Sequence, residues 1–218
     1  MLKTARIQDD NDLLIPIIDS KCHEYYVPQF IQSSPYGDKE HWIELEREPT
    51  NYQIVSLALQ SFTATTSKYA FEPYEKSFNI DEIIDIIKDY CKQLNYQFPQ
   101  TSIYIIAFRS ILYEEIRNSS EKRQVLAQVD KASHYEANQS GGLLKYWFGV
   151  PDDEFGQNLA TCWWVSRNHA RLGGGGRAHR EGMQAVKTWF KYWQVEEYEL
   201  TIANHVESFT LKKIDRQK

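Results

Sequence analysis

The stretch Asn158–Trp193 decides the fold, and it reads NLATCWWVSRNHARLGGGGRAHREGMQAVKTWFKYW. Its first part has the small and aromatic residues of a buried strand. The four glycines at 173–176 mark a loop, because each would cost a helix roughly 1 kcal/mol relative to alanine. Helical spacing then predicts a helix over Ala178–Trp193. Its inner face consists of Gly182, Val186, Trp189, Phe190 and Trp193. This aromatic-rich unit indicates a pocket the size of a small molecule.

The same periodicities recur on both sides of this stretch. Thr101–Tyr113 has the apolar core of a strand, a polar loop follows at 114–120, and Glu121–Ser140 is a helix that ends at Gly141. The other predicted strands are Leu143–Phe148, Leu159–Val165, Val195–Ile202 and Val206–Ile214. From residue 100 the order is therefore β-α-β-β-α-β plus one final strand, which is the ferredoxin-like motif of an α+β fold.

Residues 51–99 are predicted to add one strand and one helix, so that the domain spans 51–218. The strand is placed at Tyr52–Thr63, which is rich in Val, Ile, Leu and Phe. The helix is placed at Asn79–Asn95, where isoleucines recur at helical spacing. Asn79 followed three residues later by a glutamate has the pattern of a capping box.

Residues 1–50 are predicted to be a partly irregular N-terminal extension of α/β character. Within it, Asp38–Glu48 has the composition of a short charged helix that Pro49 ends.

The predicted sheet has apolar residues on both faces, and its two helices can cover only one of them. Trp147 and Trp163 lie on one face, whereas Tyr146 and Trp164 lie on the other. Sheets of this kind are often completed by face-to-face dimerisation into an α/β barrel, so a homodimer is expected. In the alternative, the additional elements of 51–99 cover the second face within one chain.

Composition narrows the classes of partner. The formal net charge of −5 argues against nucleic acid, since no basic stripe is available for phosphates. No apolar run of about 18 residues is present, so no membrane span is expected. Cys22, Cys91 and Cys162 are far apart and show neither zinc-site nor disulfide spacing. Reduced thiols and a missing signal-peptide pattern favour the cytoplasm, with the nucleus as a second compartment.

Two histidines are candidate catalytic residues. His179 shares the inner face of its helix and lies in the first turn, where the helix dipole disfavours the protonated ring. It could act as a base, or it could be a core histidine bonded to a carbonyl. His134 lies on the flank of its helix, either at a cavity mouth or in solvent. No third ligand has a convincing spacing from these two, so no metal is predicted.

Aromatic and basic residues are candidate ligand contacts. The walls would be Tyr146, Trp147, Trp163 and Trp164, which can stack on a planar molecule. Arg109 falls at an inward position of its strand, so it needs either an anionic ligand or a salt bridge to a glutamate. Arg167, at a strand end, is a weaker candidate of the same kind.

The glycine run also resembles an anion cradle in outline. Gly173–Gly176 offers free backbone N–H groups next to a helix N-terminus, and Arg177 and Arg180 supply guanidinium groups. It lacks the lysine and the spacing of a P-loop. The alternatives are a loop that gates a pocket and a plain connector.

The chain resembles a family of fungal proteins in the run SHYEANQSGGLLKYWFGVPD (Ser133–Asp152). The resemblance continues through NLATCWW, SR and the glycine-rich approach to a helix containing AH. The resemblance covers the C-terminal half well and the N-terminal half loosely, and its motifs name no chemistry. That family in turn resembles the dimeric α/β-barrel proteins, which include cofactor-free monooxygenases, haem-degrading enzymes, peroxidases and small polyketide cyclases. This second step concerns the fold, and a fold hosts many functions.

Two functions follow as hypotheses. The resemblance implies a small-molecule enzyme, such as a cofactor-independent oxygenase, cyclase or isomerase, with His179 as acid or base and His134 assisting. No cofactor is predicted, and haem is the variant that a coloured protein would reveal. The alternative is a non-catalytic binding or assembly protein whose aromatic sheet face forms a subunit interface.

Overall fold

A computed structural model describes residues 14–18 and 24–215 of the 218-residue chain. The strands are β1 (Leu14–Ile18), β2 (Glu24–Pro28), β3 (Phe30–Gln32), β4 (Trp42–Glu44), β5 (Thr101–Leu112), β6 (Leu143–Phe148), β7 (Gln157–Trp164), β8 (Phe190–Ile202) and β9 (Phe209–Ile214). The helices are α1 (Thr50–Ala58), α2 (Tyr74–Ser77), α3 (Ile80–Gln93), α4 (Glu114–Arg117), α5 (Ser120–Gln139), α6 (Arg167–Gly173) and α7 (Arg177–Trp189). Short 3-10 turns lie at 39–41, 45–47, 59–61 and 204–206.

The main sheet has five antiparallel strands in the order β6-β7-β5-β8-β9. The first strand of the β-α-β-β-α-β unit, β5, lies at the centre between the third and the fourth, β7 and β8. The long α5 connects β5 to the edge strand β6. This arrangement confirms the ferredoxin-like α+β fold, with β9 as the additional strand beside β8. Two small hairpins, β1–β2 and β3–β4, belong to the N-terminal extension.

One face of the sheet is covered by the N-terminal half of the same chain. Here β5 presents Ile103 and Ile105, which pack with Trp163 of β7 and with residues of α1 and α3 in one continuous core. The ring of Phe62 lies edge-on to Trp163, with ring centroids 5.2 Å apart. The structure therefore shows the single-chain alternative, in which residues 50–98 cover the face that a dimeric barrel would bury between subunits. A homodimer stays a prediction and would need another surface.

The opposite, helix-side face is covered only in part. Helix α5 lies over β6, and α6 packs Ala170 against Tyr104 and Trp164. Helix α7 lies against α5 instead of the sheet centre: a Cβ on Gly182 would be 3.3 Å from Val129, and no residue of α7 is buried. Part of the face over β5 and β8 therefore stays open.

The segment predicted as a strand at Tyr52–Thr63 is a helix, α1, followed by a 3-10 turn. The prediction was wrong because the buried residues of this segment form an almost continuous apolar run. Such a run fits a buried helix as well as a strand. Pro49 occupies the N-cap position, where its missing N–H costs nothing.

Other boundaries also differ from the predictions, and the final strand begins at Phe209 instead of Val206. The predicted helix at Asp38–Glu48 is a 3-10 turn, the strand β4 and a second 3-10 turn. The predicted loop 114–120 contains the short helix α4. The predicted helix to Trp193 ends at Trp189, so the last inner-face residues belong to β8, whose pairing with β5 outweighs the helical pattern.

Helix α3 confirms the predicted helix at Asn79–Asn95, but the capping box does not form as expected. The Asn79 side chain accepts a hydrogen bond from the backbone N–H of Thr63 at 2.9 Å. Its amide also donates to the Glu82 carboxylate at 2.8 Å. The asparagine thus connects the start of α3 to the end of the preceding turn.

Cys91 and Cys162 are free thiols, and Cys22 lies outside the described residues. In the part of the chain that the structure describes, no helix is both long and apolar enough to span a membrane. The same part contains no group of three or more His, Cys, Asp or Glu side chains placed to hold a metal ion.

Candidate functional site

The open part of the helix-side face forms a groove of about 620 Å³ between β5, α6 and β8. Its apolar surface comes from Ile106, Ala170 and the ring of Tyr104. Its polar groups are Arg167, Asn168, Arg171 and Glu197. The groove exists because β5 turns alternate residues to this side while α7 packs away from them. Its volume lies within the range of sites that hold small organic molecules.

A hydrogen-bonded charge cluster forms the floor of the groove. The Glu197 side chain is buried, and its Oε2 atom lies 3.3 Å from Nη2 of Arg167. Burial and the hydrogen bond that the Tyr104 hydroxyl donates to Glu197 raise the pKa of Tyr104 to about 12. The tyrosine is therefore protonated at neutral pH. It can bind a ligand by packing but cannot act as a base.

A second polar cluster lies between α5, β6 and residues 33–41. The half-buried carboxylate of Asp130 accepts hydrogen bonds from the hydroxyls of Tyr36 and Tyr146, the latter at 2.7 Å. Burial raises the pKa of Asp130, and it raises the pKa of both tyrosines. Tyr146, expected to stack on a ligand, is instead a buried partner of α5.

His134 belongs to the same cluster and is not at the surface. Its Nδ1 atom lies 2.8 Å from Nδ1 of His41, so one ring donates and the other accepts. Its Nε2 atom is buried and has no hydrogen-bond partner within the described residues. Burial lowers the pKa of His134 to about 3, with a further contribution from His41. Both rings are therefore neutral near pH 7.

Arg109 is held entirely by protein acceptors. Its Nε donates to Glu196 at 3.0 Å, and its Nη1 and Nη2 donate to the carbonyls of Ala70 and Glu72 at 2.6 and 2.7 Å. Although burial opposes the shift, hydrogen bonds from Lys213 and Arg109 lower the pKa of Glu196. The salt-bridge alternative is the one that the structure shows, and Arg109 fastens the 70–72 segment to the sheet.

The three tryptophans expected as pocket walls have different positions. Trp163 is fully buried on the covered face, where its indole donates to the hydroxyl of Tyr74 at 3.1 Å. Trp147 packs edge-on against Tyr69 on the same side. Trp164 lies on the helix-side face beside two residues that line the groove. Only Trp164 is therefore a neighbour of the groove.

The predicted anion cradle is filled by the protein itself. The carboxylate of Glu136, from α5, accepts hydrogen bonds from the backbone N–H groups of Ala178 and His179 at 3.0 and 3.3 Å. A Cβ on Gly176 would lie 1.9 Å from this carboxylate, so the glycine makes room for it. The backbone hydrogen bond from Ala178 is the main cause that lowers the pKa of Glu136. Gly173 is not in a loop but ends α6.

His179 and Arg177 lie at this same helix start. The half-buried His179 ring lies near Gly174, and burial lowers its pKa. Arg177 is exposed and donates to Glu181 at 2.8 Å. Neither residue lines the groove, and His134 lies on a different side of α5 from Glu136. The structure therefore does not bring the two predicted histidines into one site, and their catalytic roles stay predictions.

Lys145 on β6 is a buried lysine without a carboxylate partner among residues 27–215. It pairs with Trp163 across the strands, on the covered face, next to a bulge at Leu143. Burial lowers its pKa from 10.5 to about 8. The charged amine thus opposes folding at neutral pH, since one pKa unit corresponds to about 1.4 kcal/mol.

Lys145→Met is expected to raise the free energy of unfolding by about 3 kcal/mol at pH 7. The folded pKa lies below the unfolded one, so the unfolded chain holds the extra proton between pH 8 and 10.5 and wild-type stability rises across that window. The gain should therefore fade as the pH approaches 10.5. Urea unfolding at both ends of the window checks this. Lys187→Met, on the exposed side of α7, should change stability by less than about 0.5 kcal/mol. A constant gain at every pH would contradict the explanation.

The groove does not fit a haem. None of its lining residues is a histidine, cysteine or methionine, and its one tyrosine hydroxyl is bonded to a buried carboxylate. In the second cluster, the two histidines direct their Nδ1 atoms at each other. The groove thus offers a haem no axial ligand.

Most of the groove residues were missed by the sequence predictions. Arg167 was the one weak candidate among them, whereas Tyr104, Asn168, Arg171 and Glu197 were not predicted. A signal existed in β8, where Glu196 and Glu197 follow one another. Successive strand residues face opposite sides of the sheet, so each face receives one of these glutamates. A glutamate that is buried there needs a partner.

Comparisons with known proteins place the chain in a family. The model of a family described as PB2B2.08-like matches residues 32–213. The UPF0643 protein PB2B2.08 of Schizosaccharomyces pombe (strain 972 / ATCC 24843) is 50% identical over 212 residues, which cover 96% of this chain and 96% of that protein.

Several solved structures are similar to part of the chain at low identity. The protein SO0527 from Shewanella oneidensis is 18% identical with a TM-score of 0.37, covering 48% of this chain and 95% of that one. Rv0793 from Mycobacterium tuberculosis is 16% identical with a TM-score of 0.36, covering 44% and 92%. SnoaB, a cofactor-independent oxygenase from Streptomyces nogalater, is 6% identical with a TM-score of 0.34, covering 44% and 90%.

The fold is defined by the strand order of the main sheet. The family match spans most of the chain, and half of the aligned residues are identical in the fission yeast relative. The chain therefore belongs to the PB2B2.08-like family.

Proposed function

We propose that this protein binds a small organic molecule in the groove between β5, α6 and β8. The observation that carries the proposal is the groove itself, about 620 Å³ in volume, with apolar walls and four convergent polar side chains. Apolar walls supply affinity and a few placed polar groups supply orientation. The groove lies where the helix layer leaves the sheet uncovered, so the site needs no rearrangement of the core.

Filling the groove tests the proposal. Ile106 is half-buried in the groove, and Ser102 is exposed on the same face of β5 four residues earlier. We expect Ile106→Trp to fill the groove, whereas Ser102→Trp adds the same side chain outside it. Compounds that raise the melting temperature of the wild-type protein should do so for the Ser102 variant and not for the Ile106 variant.

Native mass spectrometry provides a second readout. A small molecule that co-purifies with the wild-type chain should be missing from the Ile106→Trp protein and present on the Ser102→Trp protein. Compounds that bind both variants as tightly as the wild type would contradict the proposed site.

The enzymatic form of the proposal is a cofactor-independent oxygenase, cyclase or isomerase. In the groove itself, Tyr104 is protonated and Glu197 is paired with Arg167, so neither is ready to accept a proton. Chemistry there would depend on positioning a reactive molecule and excluding water from it. To test this form, oxygen uptake is measured for the wild-type protein with each compound that binds. The same measurement on the Ile106→Trp variant is the control.

The second candidate function is assembly through the helix-side face. Phe108 and Trp193 form a half-exposed aromatic pair there, with centroids 5.7 Å apart, and Met183 of the unburied α7 is exposed. Aromatic and methionine side chains are enriched in subunit interfaces. Sedimentation of the wild-type protein and of Trp193→Ser tests it. A monomer in both cases would exclude a stable homodimer through this face.

A further inference from the structure

The charges of the groove do not cancel. Its ionisable side chains are Arg167, Arg171 and Glu197, besides the protonated Tyr104. Arg167 and Glu197 lie 3.3 Å apart and neutralise each other. One positive charge is left over, and it belongs to Arg171.

Arg171 is free to bind an anion. In the part of the chain that the structure describes, no carboxylate lies within ion-pair distance of its guanidinium. Its one contact is a long hydrogen bond of 3.4 Å from Nη2 to the Asn168 side chain. A guanidinium presents a planar fork of donors that matches the two oxygens of a carboxylate. Most of that fork is therefore available to a ligand in the groove.

Glu197 sets a limit on the charge of the ligand. Its carboxylate is fixed and buried at the floor, where like charges repel each other more strongly than in water. A dianion would need a second uncompensated positive charge, and the charge of Arg167 is already compensated by Glu197. A monoanion can reach Arg171 while its apolar part covers Ile106 and Ala170. Because Glu197 compensates Arg167, only the charge of Arg171 is left to balance a ligand, which selects against a higher negative charge.

Resting on the proposed function, we infer that the ligand of this groove is a monoanion, a carboxylate on an apolar body, and that Arg171 is the residue that holds it. Arg167 has a positioning role through Glu197. Asn168, the partner of Arg171, would orient the guanidinium towards the groove.

Three probes of one shape test the inference by calorimetry. These are 2-naphthoate, its neutral isostere 2-naphthamide and the dianionic 2-naphthyl phosphate. We expect the wild-type protein to bind the carboxylate at least ten times more tightly than the amide, since a charged hydrogen bond contributes more than a neutral one. The phosphate should bind more weakly than the carboxylate.

Matched arginine variants identify the residue. Arg171→Gln should reduce naphthoate affinity to that of the amide and leave amide binding unchanged. Arg123→Gln, an exposed arginine of α5 outside the groove, should have no effect. Raising the salt concentration should weaken the binding of the carboxylate and leave the binding of the amide unchanged.

Failure of the inference and failure of the proposed site give different results. Equal binding of acid and amide, both lost in Ile106→Trp, would overturn the monoanion and leave the groove as the site. A phosphate that binds as tightly as the carboxylate would also overturn it, as would Arg171→Gln with unchanged selectivity. Binding of none of the three probes would overturn the carboxylate ligand. The proposed site would then be tested separately, by whether the compounds of the thermal screen bind the Ser102→Trp variant and not the Ile106→Trp variant.

Discussion

Lowering the pH from 7 to 4 is expected to reduce the free energy of unfolding by about 3 kcal/mol through His134 alone. The folded pKa of this histidine is about 3, well below its ordinary 6.5. A depressed pKa means that the stability is complete above pH 6.5 and is lost as the pH falls towards 3. The loss should amount to about 1.4 kcal/mol per pH unit within that window. Because burial also lowers the pKa of His41, the slope should be steeper where both rings titrate.

The geometry explains the sensitivity. Two neutral rings share one hydrogen bond between their Nδ1 atoms, and protonating both would make each nitrogen a donor and leave no acceptor. The titratable and charged groups that face this pair are Asp38, Glu40, Lys131, Tyr36, Asp130, Tyr135 and Tyr146. Of these, Asp130 works in the opposite direction, since its raised pKa makes the folded state hold a proton that the unfolded chain releases.

A double variant, His41→Phe with His134→Phe, isolates the histidine contribution. Removing both partners leaves no unpaired donor or acceptor, and Asp130 stays in both proteins, so the difference in slope belongs to the histidines. Urea unfolding at pH 7, 6, 5 and 4 provides the slopes, and the wild type should lose stability faster. An NMR titration of the His134 ring with a midpoint near 6.5 would contradict the prediction.

Arg109→Leu is expected to lower the free energy of unfolding by about 3–5 kcal/mol. The substitution removes the guanidinium from the buried carboxylate of Glu196, which keeps Lys213, Tyr198 and a long hydrogen bond from Gln194. It also removes one of the two donors to each of the carbonyls of Ala70 and Glu72, which keep Gln157 and Ser77. Removing one partner of a buried pair costs more than the pair itself contributes, because the other charge stays buried. Chemical unfolding measures the loss.

Arg177→Leu is the matched control for that measurement. Both arginines form an ion pair with a glutamate, but the Arg177 pair is exposed. Exposed pairs contribute about 0–1 kcal/mol, so this variant should unfold close to the wild type. Similar losses in the two variants would show that the buried network of Arg109 contributes no more to the free energy of unfolding than an exposed ion pair.

The strand order of the C-terminal half was predictable because its strands and its long helix have clean periodicities. Thr101–Leu112 and Ser120–Gln139 differ from their predicted bounds by one residue at most. The prediction failed for α1, whose apolar run lacks a period, and for the end of α7, where helix and strand meet without a turn at Phe190. Local pattern cannot decide such cases, since tertiary pairing with β5 determines the boundary.

The candidate site was less predictable than the fold. The position of Arg167 at a strand end made it a candidate. Arg171 and Asn168 lie on α6, which was not predicted because the glycine run indicated a loop. The buried pair of His41 and His134 joins residues 93 positions apart in the chain. The sequence predicted the backbone N–H donors of the cradle at Gly176 but not the carboxylate that fills it, because Glu136 comes from another helix. Long-range contacts of this kind leave no periodic trace in one sequence.

The covering of the sheet by residues 50–98 changes how this core responds to dilution. In a barrel closed between two subunits, the same surface is buried only while the subunits stay associated, so its contribution follows mass action. Here Trp163, Ile105 and their neighbours are buried by segments of their own chain. The melting temperature of this core should therefore be independent of protein concentration, and its refolding should be first order. Even at the lowest copy number in a cell, each molecule carries its complete core.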